Sequence, residues 1–230
     1  MEKAKSQKDK FLQLLDTYIT EDLIIAFSGG VDSTLLVRAA FEIADRKGYM
    51  VHAVTFQTTL HPAKDVEVTK KLADNIGVVH HIIKVDELQD AGIRKNPHNR
   101  CYLCKKYLFT RAREEADKMG ISLIMDGTNG DDLQEHRPGI RALRELKIVS
   151  PLAESGMTKD DIRIMAAEYD LPVADRPSSP CLATRFPYGT VLSRSMMSNV
   201  EKGEEFFKNL GFYNVRLRVH GDVARIEVDK

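Results

Sequence analysis

Three sets of residues in this 230-residue chain have types and spacings that could do chemistry. The first is Ser28-Gly29-Gly30-Val31-Asp32-Ser33, which follows a continuous apolar run from Leu23 to Phe27 and opens a helical pattern. Two glycines let the backbone turn tightly and come close to a ligand. A helix start beyond them presents unpaired N–H groups and the positive end of a dipole, and Ser28 and Ser33 add hydroxyls. This is an anion cradle at the carboxyl edge of a buried strand, where open α/β sheets bind ligands. The lysine of a Walker A loop is absent, so β- and γ-phosphates must be handled differently. The plainer alternative is a glycine-rich turn with Asp32 as a helix cap. The second stretch, Asp126 to Asp132 (DGTNGDD), also follows an apolar run and so falls on the same edge. Gly127 permits close approach, Thr128 and Asn129 offer polar groups to a nucleotide, and Asp131 and Asp132 could coordinate Mg2+. Here the plainer alternative is an Asx turn ending a strand.

The third feature is the set of three cysteines: Cys101 and Cys104 in RCYLCKK, and Cys181 in the proline-rich PSSPCLATRF. An odd number argues against a disulfide framework and favours metal binding or thiol chemistry. Arg100, Lys105, Lys106 and Arg185 adjoin the thiols, and nearby cations favour thiolate, the reactive and metal-binding form. No cysteine falls on an apolar stripe. Thioredoxin-like redox chemistry is disfavoured because CxxC does not open the helix after the first strand. A packing pair, a zinc site with His98 as fourth ligand and a [4Fe-4S] cluster all remain open. Three thiolates on a cluster would leave one iron with a free position for a substrate or a sulfide.

Short β-rich runs alternate with helical patterns through the first two-thirds of the chain. Strands are expected at 23–27, 50–56, 79–85 and 122–127, with helices at 5–18, after the glycine pair, at 64–76 and at 104–119. Alternation of this kind makes βαβ units and a parallel sheet covered by helices on both faces. After Ser150-Pro151-Leu152 the character changes. Thr158 and Asp161 have capping-box spacing at the head of a helix to about Tyr169. Four prolines then exclude helix or central strand through LPVADRPSSPCLATRFPYG. A helix at 195–210 precedes two strands, VRLRVH and VARIEV, flanking a turn at His220-Gly221-Asp222. The expected organisation is residues 1–150 as a nucleotide domain and 151–230 as a smaller α+β domain.

Composition narrows the possible partners. Lys+Arg and Asp+Glu are 34 each, so bulk charge does not attract nucleic acid, and there is no tryptophan. Hydrophobic residues are 43% and charged residues 30%, as in soluble globular proteins. No apolar run spans a bilayer and no apolar segment follows the basic N-terminus, so a cytoplasmic protein is expected, with neither membrane nor nucleic acid as partner.

SGGVDS resembles the signature of the PP-loop ATP pyrophosphatases, whose Rossmann-like fold is that of the adenine nucleotide α-hydrolases. The resemblance implies that Ser28, Gly29, Gly30, Asp32 and Ser33 hold pyrophosphate or the AMP phosphate, with Mg2+. It implies ATP cleavage between the α and β phosphates, and Gly127, Thr128 and Asn129 join the nucleotide site. FSGGVDSTLL, NPHNRCYLCKK, DGTNGDDLQEHRPG, RALRELKIVSPL, MTKDDIR, RPSSPCLATRFPYG and VRLRVHGDVARIEV, in that order, resemble the LarE family of PP-loop sulfur transferases over nearly the whole chain. That family makes the organic part of a nickel-pincer nucleotide cofactor. It activates the carboxylates of a pyridinium biscarboxylate mononucleotide with ATP and replaces them by thiocarboxylates.

The resemblance implies that Cys101, Cys104 and Cys181 are catalytic, in one of two ways. One branch sacrifices a single cysteine at the position of Cys181, and the other holds a [4Fe-4S] cluster on three cysteines. Cys101 and Cys104 beside Cys181 favour the cluster. Arg216 and Arg218 share one strand face, and with Arg185 they become candidates for binding the substrate's phosphate and carboxylates. Glu204, Glu205 and Glu227 are further candidates, to bind metal or to order these arginines. Family analogy implies a homo-oligomer. The alternatives from other classes are a tRNA thiolase, an ATP-dependent synthetase without sulfur chemistry, and a nucleotide sensor.

Overall fold

The structure, a computed structural model, describes residues 2–134 and 138–229. Glu135, His136 and Arg137, part of the DGTNGDDLQEHRPG string, lie outside the described residues. Four parallel strands, β1 (Leu23–Ala26), β2 (Val51–Gln57), β3 (Val79–Lys84) and β4 (Leu123–Met125), form a sheet in the order β3-β2-β1-β4. Consecutive strands are joined by α2 (Val31–Lys47), α3 (Lys64–Ile76) and, between β3 and β4, α4 (Glu87–Asp90) and α5 (Arg100–Met119). α1 (Glu2–Tyr18) precedes the sheet. After β4 come α6 (Pro138–Glu145), α7 (Pro151–Ser155), α8 (Lys159–Glu168) and α9 (Arg194–Asn209), then a hairpin of β5 (Val215–His220) and β6 (Val223–Val228).

The unbroken apolar run at β1 follows from burial on both faces. Leu23 and Ile25 belong to one apolar cluster with Phe11 and Leu15 of α1 and Leu35 and Leu36 of α2. Ile24 points the other way, to Phe109 and Ala112 of α5 and Leu143 of α6. The expected parallel sheet with helices on both faces is therefore present. A strand pairing went unread in the sequence: Val149 bridges Met125 in parallel, so RELKIVS adds a short rung beside β4.

The expected change near residue 150 is not where the packing changes. Leu152, Met157, Ile162, Met165, Leu171 and Val173 lie in the same cluster as β1 and α2. A separate cluster joins Leu60, Leu88 and Ile93 to Leu182, Phe186, Leu192, Met197 and Val200. The reason is the amphipathic stripe of α8, which buries Ile162, Met165 and Ala166 toward α2. Its start is the predicted capping box, with Thr158 Oγ1 accepting from the Asp161 amide and the Asp161 carboxylate accepting from the Thr158 amide. The hairpin leans on α9 through Gly203, where a Cβ would stand 2.5 Å from a Leu217 methyl. Helix α5 begins at Arg100 rather than 104, which places CxxC in its first turns.

Leu35 is fully buried at the contact of α2 with the sheet. Leu35→Ala is expected to lower unfolding free energy in urea by about 3 kcal/mol, the lost transfer energy plus a residual cavity.

Candidate functional site

The chain leaves β1 with the Phe27 amide donating to Val54 O (2.7 Å), then turns at Gly29, whose φ is +71°. A Cβ there would meet Thr69 Cγ2 at 2.9 Å, so the turn needs glycine on two counts. Gly30 is the N-cap of α2 and makes no side-chain cap, so Asp32 does not serve as one. The loop's internal bonds are long: Gly30 N to Ser28 Oγ is 3.4 Å and Ser28 N to Ser33 Oγ is 3.3 Å. Such donors are only lightly committed and open to a stronger, anionic acceptor.

The second loop closes over the first. A Cβ on Gly127 would stand 3.0 Å from Ser33 N. Asn129 Nδ2 donates to the Asp32 carboxylate (3.1 Å), and Lys159 of α8 forms an ion pair with the same group. Asn129 Oδ1 accepts from the amides of Asp131 and Asp132, so the Asx turn is also present. Asp131 accepts from the Lys159 amide (2.8 Å), and Asp132 accepts from the Asn129 amide (3.1 Å). Buried Asp126 accepts from Ser150 Oγ, Thr128 Oγ1 and Lys105 Nζ.

A pocket of about 570 Å³ opens at this edge. Ser28, Asp32, Ser33, Gly127, Thr128 and Asp132 line it, and so do Cys101, Cys104 and Cys181. Two segments far apart in the sequence thus bring their thiols to one chamber. Leu182 N donates to Leu60 O (2.8 Å), which seats the short 3-10 turn Leu182–Arg185 just after Cys181. Glu87, fully buried, holds Leu60 from the other side, with Oε1 accepting its amide at 2.7 Å.

The thiols differ from the sequence expectation in two respects. Cys104 and Cys181 pack against the Leu60–Leu182 apolar cluster, so they do touch a core. Burial pushes Cys104 up to about 12 and raises Cys181 as well, with Arg100 pulling down by less. The cations are committed elsewhere: Arg100 to Asn96, Lys105 to Asp126, Lys106 to Glu145 and Arg185 to Glu204. For both half-buried sulfurs the shift favours the protonated thiol, and binding metal would release that proton. Cys101 is exposed. Among the described residues no three His, Cys, Asp or Glu side chains converge as a single ion requires. His98 stacks on Tyr188 (ring centroids 4.4 Å) and does not line the pocket.

The C-terminal candidates lie outside the pocket lining. Arg185 is 5% exposed, and Glu204 takes both its Nε (2.6 Å) and Nη2 (3.2 Å). Glu204 also accepts from the Leu217 amide, and Glu205 faces Lys64 at 3.5 Å. Arg218 pairs with Glu227 at 2.8 Å and reaches Thr184 O at 3.2 Å, while Arg225 shares Glu227. Arg216 shares the β5 face with Arg218 and has no ion pair among the described residues. Sequence reading missed Lys159, Arg176 and Glu87. Lys159 stood in MTKDDIR at a helix start, the one signal that could have found it.

The PP-loop domain family matches residues 3–136. An uncharacterized protein of Synechocystis is 37% identical over 205 residues, 89% of this chain and 75% of that one. The pyridinium-3,5-bisthiocarboxylic acid mononucleotide synthase of Lactiplantibacillus plantarum is 33% identical over 204 residues, 89% of this chain and 73% of that one. Among solved structures, the NMN synthetase of Francisella tularensis superposes with a TM-score of 0.59 at 15% identity, covering 76% of this chain and 75% of that one, a likeness of fold. Among the described residues no helix is long and apolar enough to cross a membrane.

Burial raises the Glu87 carboxyl above its ordinary value of 4.5, and its Oε2 has no hydrogen-bond partner among the described residues. The native state then holds this proton more tightly than the unfolded chain. Its contribution is fully present below pH 4.5 and lost as pH rises through the folded value. In urea titrations from acidic to neutral pH, Glu87→Gln is expected to flatten that decline.

Proposed function

Because the chain belongs to the PP-loop family, and within it to the LarE type, we propose that this ATP-dependent sulfurtransferase converts pyridinium-3,5-biscarboxylic acid mononucleotide to the bisthiocarboxylic acid in nickel-pincer nucleotide cofactor synthesis. The observation that carries the reading is the single chamber shared by the phosphate loop and all three thiols. ATP lies with its phosphates on the Ser28–Ser33 amides and hydroxyls, and with Gly127, Thr128 and Asn129 beside the nucleotide. Asp32 and Asp132 face the same space, where Mg2+ would compete with Lys159 for the Asp32 carboxylate.

In the first step a substrate carboxylate oxygen attacks the α-phosphorus, the bond to the β-phosphate oxygen breaks, and pyrophosphate leaves. Amides at the start of α2 stabilise the charge that develops on the leaving group. In the second step sulfur attacks the acyl-adenylate carbonyl and the C–O bond to AMP breaks. Arg216 and Arg218 serve the substrate phosphate. Arg185 and Glu204 act one layer back, because their buried pair fixes the turn that follows Cys181.

What supports a cluster is that all three thiols line one chamber and that a cubane takes one thiolate per iron. Cys101, Cys104 and Cys181 would hold a [4Fe-4S] cluster, which would supply the sulfur for the second step. The exposed apolar side chains Phe206, Leu210 and Tyr213 support a homo-oligomer.

The test is anaerobic turnover with ATP and the carboxylated nucleotide. Wild type is expected to release pyrophosphate and form thiocarboxylate, be brown, absorb at about 400 nm and contain about four irons per chain. Cys181→Ser is expected to keep pyrophosphate release and lose product. Colourless, iron-free protein that remains active, with residue 181 losing the elements of hydrogen sulfide by mass spectrometry, would assign the sulfur to Cys181 itself. Tight binding of tRNA at moderate salt would instead favour a tRNA thiolase.

A further inference from the structure

Arg176 lies five residues before Cys181, yet its side chain leaves the thiol segment and grips the phosphate loop. Its Nη1 donates to Gly29 O at 3.0 Å, and its Nη2 donates to Asp65 in the first turn of α3 at 2.7 Å. The backbone that carries it is fixed in turn: Arg163 of α8 donates to Ala174 O and Arg176 O, both at 3.1 Å. One guanidinium thus joins the nucleotide cradle, the start of α3 and the strand of chain that delivers Cys181.

The direction of the Gly29 carbonyl is the consequential detail. In a trans peptide the carbonyl and the following N–H point opposite ways. Holding Gly29 O toward Arg176 aims the Gly30 N–H to the other side, where Ser28 Oγ sits. That is the side an anion must occupy. Gly29, at φ +71° and without a Cβ, has little of its own to prevent the peptide from turning over. A turned peptide would present a carbonyl dipole to the phosphate in place of a donor. The bidentate clamp supplies the restraint, because the second guanidinium arm on Asp65 keeps the first from swinging away.

We infer that Arg176 is a positioning residue that makes the phosphate cradle and the Cys181 segment cooperative: the cradle is set for pyrophosphate departure only when residues 174–181 are seated, and an anion in the cradle holds that segment down. This inference rests on the sulfur-transfer reading, since it links activation of the acceptor to presence of the donor. Acyl-adenylate would then form only with the Cys181 segment in place, which limits its loss to water.

The test has an equilibrium arm and a kinetic arm. In the first, inorganic pyrophosphate is titrated into the full-length chain while hydrogen exchange is followed in the peptide spanning 177–184. Wild type is expected to show slower exchange on saturation. Arg176→Gln is expected to bind pyrophosphate more weakly and, once saturated, show no change in that peptide. Arg176→Lys, which keeps one donor and loses the fork, is expected to fall between the two. Equal protection in wild type and Arg176→Gln at saturation would overturn the inference, as would no protection in folded wild type that binds pyrophosphate.

In the kinetic arm, Arg176→Gln is expected to lower kcat for pyrophosphate release about a hundredfold, the cost of one lost oxyanion donor. KM for ATP is expected to move much less, and Arg176→Lys to recover part of the loss. An unchanged kcat in Arg176→Gln would also overturn it. Wild type that turns over nothing, yet shows pyrophosphate-dependent protection lost in Arg176→Gln, would sink the proposed reaction and leave the coupling standing.

Discussion

Gly127 lies so near the first turn of α2 that a Cβ on it would stand 3.0 Å from the Ser33 amide and 3.2 Å from the Ser33 Cα. The rest of the site depends on this backbone-to-backbone approach. It closes the loop after β4 onto the loop after β1, so two neighbouring parallel strands end in one continuous polar rim. The rim has few rotatable parts: amides at a helix start, hydroxyls of Ser28 and Ser33, and a carboxylate, Asp32, already oriented by Asn129 and Lys159. Preorganised donors of this kind require little reorganisation when charge moves onto a leaving group.

The thiols are placed by a different kind of constraint. The chain from Leu171 to Gly189 has no regular structure beyond one 3-10 turn, so its position comes from side chains and isolated main-chain bonds. Leu182 bonds to Leu60, which Glu87 in turn holds, and Asn96 Nδ2 donates to the carbonyls of Phe186 (3.3 Å) and Pro187 (2.8 Å). The buried Arg185–Glu204 pair finishes the turn. A segment held at discrete points differs from a strand: each tie can be released without unravelling its neighbours.

The sheet and the phosphate loop were legible because their causes are local. An apolar run of five residues followed by a glycine pair and a helical pattern has few other solutions, and Thr158 with Asp161 marks a helix start without help from the rest of the chain. The charge state of the thiols was not legible. Arg100, Lys105, Lys106 and Arg185 adjoin cysteines in sequence, but each finds a polar partner closer in space, which leaves Cys104 and Cys181 to the effect of burial. Proximity along the chain is a poor guide to which charge a group feels once long side chains choose their partners. Arg176, Lys159 and Glu87 escaped for the same reason, since each acts on a residue at least 27 positions away. Which core the chain past Ser150 joins was not legible either, since it is decided by the buried stripe of α8, which packs into the same cluster as β1 and α2.

At residue 203 the hairpin and α9 meet with only a hydrogen atom's clearance, the Leu217 methyl filling the place of a side chain. A seam that tight behaves as a ruler. It sets the height of β5 above the helix that carries Glu204, and with it the stance of Arg216 and Arg218 toward the turn after Cys181. Val223, exposed beside the turn and paired with His220, carries no such duty. Substitutions there leave the gauge untouched, while any bulk at the seam would tilt both arginines together.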